Sequence, residues 1–166
     1  MLRWLSPINA WISRFCMKLA VAGLLGIVFV VALQVFGRYV LNDTPTWAES
    51  LALVLVLYVT MFGAAVGVRD AGHIGLESIL VMLLPERHRV WVEILIHLLV
   101  LGFGLLMAWN AGLLAESVMG YKIPTLGLPE GLNHVPLSVA GVLIALFSIE
   151  HILALLAGEE VRPSWH

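Results

Sequence analysis

Residues 51–68 read LALVLVLYVTMFGAAVGV, a stretch without one charged side chain and with the length of a helix that crosses a bilayer. Lipid offers a backbone no hydrogen bonds, so such a segment must satisfy its own N–H and C=O groups, which a helix does. The run is unbroken and lacks the in-out alternation of barrel strands, which excludes a closed β-barrel. Working outward, residues 19–37, 90–115 and 135–157 form three more runs of the same kind, and the loops between them hold most of the charge and proline. The predicted fold is therefore all-α, an integral membrane protein with four transmembrane helices in one membrane domain over residues 1–166. An even number of crossings leaves both termini on one side.

Composition narrows the function. A hydrophobic fraction of 61% exceeds that of soluble domains, so lipid is the solvent and membrane lipids are the first partner. Only 12% of residues are charged and the net charge is -2, which leaves no basic stripe to neutralise a phosphate backbone and excludes nucleic acid as a partner. The single cysteine, Cys16, supplies neither an internal disulfide nor the paired thiols of a redox or zinc site. No catalytic constellation, metal site or cofactor motif is visible, and the chain reads as a non-enzyme.

Orientation follows from the basic residues, which are retained on the cytoplasmic side. Arg3, Arg14, Lys18, Arg69, Arg87, Arg89 and Arg162 fall on the side of the termini and the middle loop, against Arg38 and Lys122 on the other. Both termini are expected in the cytoplasm. Two further segments look amphipathic. In residues 1–16, Trp4, Leu5, Ile8, Trp11, Ile12 and Phe15 recur at helical spacing opposite Arg3, Ser6, Asn9, Ser13 and Arg14. That pattern predicts an interfacial helix lying in the headgroup plane. A cleaved signal peptide would show a small-residue cleavage site after the first span, and none follows, so an uncleaved anchor is expected. Residues 74–84 are too short to cross, carry Glu77 and stop at Pro85, which predicts a short cytoplasmic surface helix. The loop 116–134 holds Pro124, Gly127, Pro129 and Gly131 and is expected to be irregular.

Ionisable residues inside spans are the first place to look for function, because an unpaired one costs several kcal/mol, about 2.5–3.5 on insertion scales. Glu93 and His97 share a face of the third span, and Glu150 and His151 lie at a similar depth in the fourth. They form either a proton relay or haem ligands (His97 with His151), or they snorkel toward the cytoplasm or satisfy one another across a helix interface. The last reading is preferred. Gly104, Ala108 and Gly112 make one ridge of small residues and Gly63 and Gly67 another, each serving packing within the chain or against a partner. Arg38, Trp47 and Glu49 meet at one boundary, where Arg38 and Glu49 are placed to pair. Arg69, Asp70 and His73 follow the second span as topology anchors.

These features, in this order, resemble the small, Q-type (DctQ-like) permease subunit of the tripartite ATP-independent periplasmic (TRAP) transporters. The resemblance rests on Gln34, Arg38 and Tyr39 in QVFGRYV, Trp47 and Glu49 in TWAES, and Gly63, Ala64, Arg69, His73 and Ile74 in FGAAVGVRDAGHIGLE. It extends in outline through Pro85, the proline-containing loop and Pro136, and so covers nearly the whole chain. Family members often have a second acid after the Trp-x-Glu glutamate, where this chain has Ser50. The resemblance implies a small subunit of a sodium-coupled secondary transporter for organic acids in the bacterial inner membrane. Its partners would be a large permease subunit, which holds the substrate and sodium sites, and a periplasmic solute-binding protein. Its role would be a scaffold against which the large subunit moves. Arg38, Tyr39, Trp47, Glu49, Gly63, Gly67, Arg69 and His73 are then the expected interface or structural positions. The alternative from another class is a haem-binding membrane anchor of an electron-transfer complex.

Overall fold

The computed structural model describes residues 2–43, 45–70, 86–158 and 161. Helix α1 runs Leu2–Phe36 and continues into one π-helical turn, Gly37–Leu41. Helix α2 runs Thr46–Asp70, α3 Glu86–Ser117 and α4 Val135–Ala157, with a 3-10 turn at Glu130–Asn133 leading into α4. All four helices are long and apolar enough to cross a membrane, as the sequence predicts. The predicted surface helix over 74–84, together with His73, lies outside the described residues.

The structure differs from expectation at the N-terminus. Residues 2–16 are not a separate in-plane helix but the first turns of α1, which continues without a break into the span. At 1.5 Å per residue α1 is roughly 52 Å long, well beyond the ~30 Å hydrocarbon core. Its polar stripe is also turned the other way: Asn9 and Ser13 are buried against other helices, while Ile8, Trp11 and Phe15 are exposed, with Trp11 and Phe15 stacked at 5.9 Å. Helical period establishes that Asn9 and Ser13 share a face. It does not say whether that face meets water or protein.

The helices form an open row in the order α1, α2, α4, α3. Among the described residues α3 packs against α4 and the turn preceding it and against no other helix, while α2 packs against both α1 and α4 and α1 also touches α4 where Asn9 meets Glu150. Half of the apolar stretch ending in α4 is buried within the protein, against 11% for each of the others, which makes α4 the inner member of the row. Phe147, Ile144, Leu143 and Ala140 of α4 join Ala65 and Val66 of α2 and Cys16 of α1 in the apolar core.

The α3–α4 crossing depends on small residues. A Cβ on Gly141 would lie 2.6 Å from the Ala108 nitrogen, and one on Gly104 would lie 2.9 Å from the Gly141 oxygen. Backbones that approach this closely gain dispersion contacts over a wide strip, which in lipid replaces the hydrophobic drive. Ser138 Oγ adds a hydrogen bond to the Ala108 carbonyl at 2.9 Å. The ridge of Gly104, Ala108 and Gly112 thus serves packing within the chain.

The loop before α4 is more ordered than its prolines and glycines imply. Ile123 N–H donates to the Leu128 carbonyl and Glu130 N–H to the Tyr121 carbonyl, both at 2.8 Å, around a turn with Gly127 at φ +68. Tyr58 Oη donates to the Leu132 carbonyl at 3.1 Å, and Thr125 Oγ1 and Ser50 Oγ are hydrogen-bonded, so the loop is pinned to α2. At the other end of α4, Gly158 adopts φ 70 and its N–H meets the carbonyls of Ala154 and Leu155, closing the helix.

A glycine-specific prediction follows. Gly141→Leu should destabilise the purified chain in detergent by about 1–3 kcal/mol, as overpacking does. Gly63→Leu should leave its melting temperature unchanged, since among the described residues nothing lies within 4 Å of a Cβ there. Thermal unfolding of both variants checks the contrast.

Candidate functional site: a buried ionic cluster

The last turn of α2 places Arg69 and Asp70 beneath α1 and beside α4. The side chains of Arg69, Asp70 and Glu150 are 0%, 1% and 0% exposed, so all three carry their polarity inside protein. Arg69 grips Glu150 with two parallel bonds, Nε to Oε2 and Nη2 to Oε1, both at 3.2 Å. Its Nη1 donates to Asp70 Oδ1 at 2.7 Å, and Nη2 also reaches the Ser6 carbonyl at 3.4 Å. A planar guanidinium with five donors suits this task, which the single point charge of a lysine does not.

The carboxylates receive further donors from α1. Asn9 Nδ2 donates to Glu150 Oε2 at 2.9 Å, and Ser13 Oγ donates to Asp70 Oδ2 at 2.8 Å. Asn9 and Ser13 are four residues apart on α1 and so point the same way, each to one acid. A buried ion pair is tolerable only when its remaining lone pairs find donors, and the buried stripe of α1 supplies them. His151 Nε2 meets the Arg69 carbonyl at 3.0 Å. That oxygen only accepts, so the imidazole donates through Nε2 and ties α4 to the C-terminal turn of α2.

His97 of α3 stacks on His151, with ring centroids 4.6 Å apart and planes 5° from parallel. Of the four ionisable residues singled out within the spans, three therefore lie in or against this cluster. Glu93 pairs instead with Arg89 one turn earlier on α3, at 2.7 Å. The histidine pair does not fit a haem. Axial imidazoles must stand on opposite faces of the macrocycle, each directing a nitrogen at the iron. Here the rings lie face to face with no room for a macrocycle between them, and Nε2 of His151 is committed to Arg69.

The remaining expected positions divide between the two ends. Arg69 is at the centre of the cluster rather than an anchor in water. Arg38 and Tyr39 lie on the π-helical turn at the opposite end, both exposed, with Trp47 and Glu49 exposed in the first turns of α2. Among the described residues Arg38 and Glu49 do not form an ion pair. Gly37 is needed beneath Arg38, since a Cβ there would lie 2.8 Å from the Asp43 oxygen. Among the described residues nothing lies within 4 Å of a Cβ at Gly63 or Gly67. Asn9, Ser13 and Asp70 are the contributors that sequence reasoning misses. Their signal is the i, i+4 polar pair on an otherwise apolar helix that must pass beside an arginine and two acids.

Removing the arginine alone strands two buried carboxylates. Arg69→Met should destabilise the purified chain by about 3–5 kcal/mol, and adding Asp70→Asn and Glu150→Gln should restore much of the loss. Melting temperatures of the single and triple variants, read side by side, check this.

Comparison with known proteins agrees with this architecture. Residues 27–158 match the family described as tripartite ATP-independent periplasmic transporters, DctQ component. The small permease protein SiaQ of a sialic acid TRAP transporter from Vibrio cholerae is 25% identical over 130 residues, covering 76% of this chain and 73% of that protein. The sialic acid TRAP transporter permease protein SiaT of Haemophilus influenzae is 28% identical over 99 residues, covering 60% of this chain but 15% of that much longer protein. A match across most of the chain, over four helices of membrane-crossing length, makes it a multi-pass inner-membrane protein that belongs to the DctQ component family of the tripartite ATP-independent periplasmic transporters.

Proposed function

We propose that the chain is the fixed scaffold of a sodium-coupled TRAP transporter for organic acids, held against a large permease subunit that carries the substrate and sodium sites, with a solute-binding protein delivering cargo. The observation that carries this reading is the open row of four helices pinned by the Arg69–Asp70–Glu150 cluster. Three helices meet at the cluster and the fourth packs on α4 alone among the described residues, which leaves broad outward faces and an interior filled by paired side chains, so the chain offers a neighbour surface rather than enclosing a solute. The buried charges support rigidity: each is engaged by partners on other helices, which leaves none poised for a passing anion.

The longer relative supports the choice of partner. In SiaT the segment similar to this chain is a small part of one long permease polypeptide, which sets it beside the remainder of that protein. The name of the SiaQ relative specifies sialic acid, itself an organic acid, which supports the proposed substrate class. The excess of basic residues on the side of the termini supports a cytoplasmic location for both, and the cluster would then sit toward that side of the membrane. Glu93 and Glu150, the acids that an independent proton-coupled carrier would need, are instead engaged by Arg89 and Arg69.

Reconstitution tests the reading. Vesicles holding this chain alone should take up no organic acid. Adding the large permease and the binding protein should give uptake that requires an inward sodium gradient. Uptake by the isolated chain, or uptake by the other two components at full rate without it, would overturn the proposal. Orientation is checked by cysteines placed at residues 2 and 161 in a Cys16→Ser background, which should react only with reagents that enter the cytoplasm.

A further inference from the structure

Helix α1 carries no aspartate or glutamate anywhere between Leu2 and Phe36. Two of its cations, Arg14 and Lys18, are both exposed and stand four residues apart, hence on one face. Among the described residues the ion pairs are made by Arg69 and Arg89, and neither Arg14 nor Lys18 takes part in one. Arg14 Nε donates to the Ala10 carbonyl at 3.3 Å, which draws the guanidinium back along the helix and leaves its Nη groups without a partner among the described residues.

The helix itself gives the depth of this pair. Lys18 and Arg38 are exposed and every exposed residue between them is apolar, so the two cations bound the part of α1 that faces acyl chains. About 20 residues at 1.5 Å each come to about 30 Å, the thickness of the hydrocarbon core. Lys18 therefore stands at the edge of the core, and Arg14, about 6 Å nearer the N-terminus, stands in the headgroup layer where lipid phosphates lie. Arg38 at the other edge has no second cation within a turn of it.

The same face continues in both directions as a lipid requires. Toward the N-terminus, Phe15 and Trp11 are exposed and stacked, the kind of rings that sit at headgroup depth. Toward the core, Ala22, Leu25 and Phe29 follow at helical spacing, all exposed, and lay an apolar track below the cations. The residues that α1 buries, Asn9, Ser13, Cys16 and Ala20, lie on the opposite side, so the ionic cluster makes no use of Arg14 or Lys18.

The chemistry selects the occupant. A guanidinium takes two oxygens of one phosphate at once, and an ammonium beside it adds a second positive charge. A zwitterionic headgroup brings a cation of its own against this pair, whereas an anionic one brings none. An acidic protein segment would match the charges but not the apolar track that runs from them into the hydrocarbon. We propose that Arg14 and Lys18, with Trp11 and Phe15 beside them and Ala22, Leu25 and Phe29 below, bind one anionic phospholipid, its phosphodiester on the two cations and an acyl chain along α1. This lipid site does not depend on the subunit role proposed above.

The test uses the full chain, purified in detergent and titrated with phosphatidylglycerol or phosphatidylcholine, with bound lipid read by native mass spectrometry. The unaltered chain should retain phosphatidylglycerol about tenfold more strongly, the equivalent of 1.4 kcal/mol. Arg14→Gln combined with Lys18→Gln should abolish that preference and leave the melting temperature of the lipid-free chain unchanged. The exchange Arg14→Lys with Lys18→Arg should keep the preference, as should Arg38→Gln. Equal retention of the two lipids by the unaltered chain, or a preference undiminished in the double glutamine variant, overturns the proposal. If that variant instead keeps the preference but no longer co-purifies with a tagged large permease, the cations belong to a protein contact and the lipid site is likewise overturned.

Discussion

A guanidinium removed from water at the end of a membrane helix dictates the rest of this structure. Left unpaired, such a charge is too costly to bury, and an arginine with five donors requires several acceptors in fixed directions. Arg69 finds them in Asp70, in Glu150 and in the Ser6 carbonyl, and the acids in turn require Asn9 and Ser13. Three helices are thereby held at one relative height. Apolar packing alone does not fix this, because in lipid one leucine-rich stripe slides past another at little cost.

Away from that cluster the helices are joined by shape. The α3–α4 pair closes through backbone contact at Gly104 and Gly141, and among the described residues only α4 packs against α3. Ionic fixation at one end and close packing along one seam give a stiff unit whose outward faces, among the described residues, remain uncovered. Stiffness combined with uncovered surface is what a static member of a moving assembly requires, and it agrees with membership of a multi-component transporter family.

The four spans were legible in the sequence because lipid imposes a single demand, a long apolar run, that any correct reading must meet. The cluster was only partly so. Glu150, His97 and His151 stood out as ionisable residues at membrane depth, but Arg69 at the end of a span has the same local pattern as an arginine in the headgroup layer, and only the partners from α1 and α4 distinguish the two. The polar stripe of Asn9 and Ser13 was visible as a stripe, yet periodicity carries no information about what faces it. The pairing of Glu93 with Arg89 was within reach of the helical i, i+4 rule, whereas the stacking of His97 on His151 depends on the α3–α4 register and had no signal in either helix alone.

The adjacency of Arg69 and Asp70 also bears on how the protein is made. Glu150 lies 81 residues beyond Arg69, so the first helical hairpin is synthesised and enters the bilayer well before this acid exists. During that interval Asp70, the very next residue, serves as a built-in counter-ion, and Ser13 of the same hairpin steadies it. The nascent arginine is therefore chaperoned by its own neighbour until the final helix arrives to complete the coordination, so that biogenesis proceeds through a partly neutralised intermediate and not through a naked charge in lipid.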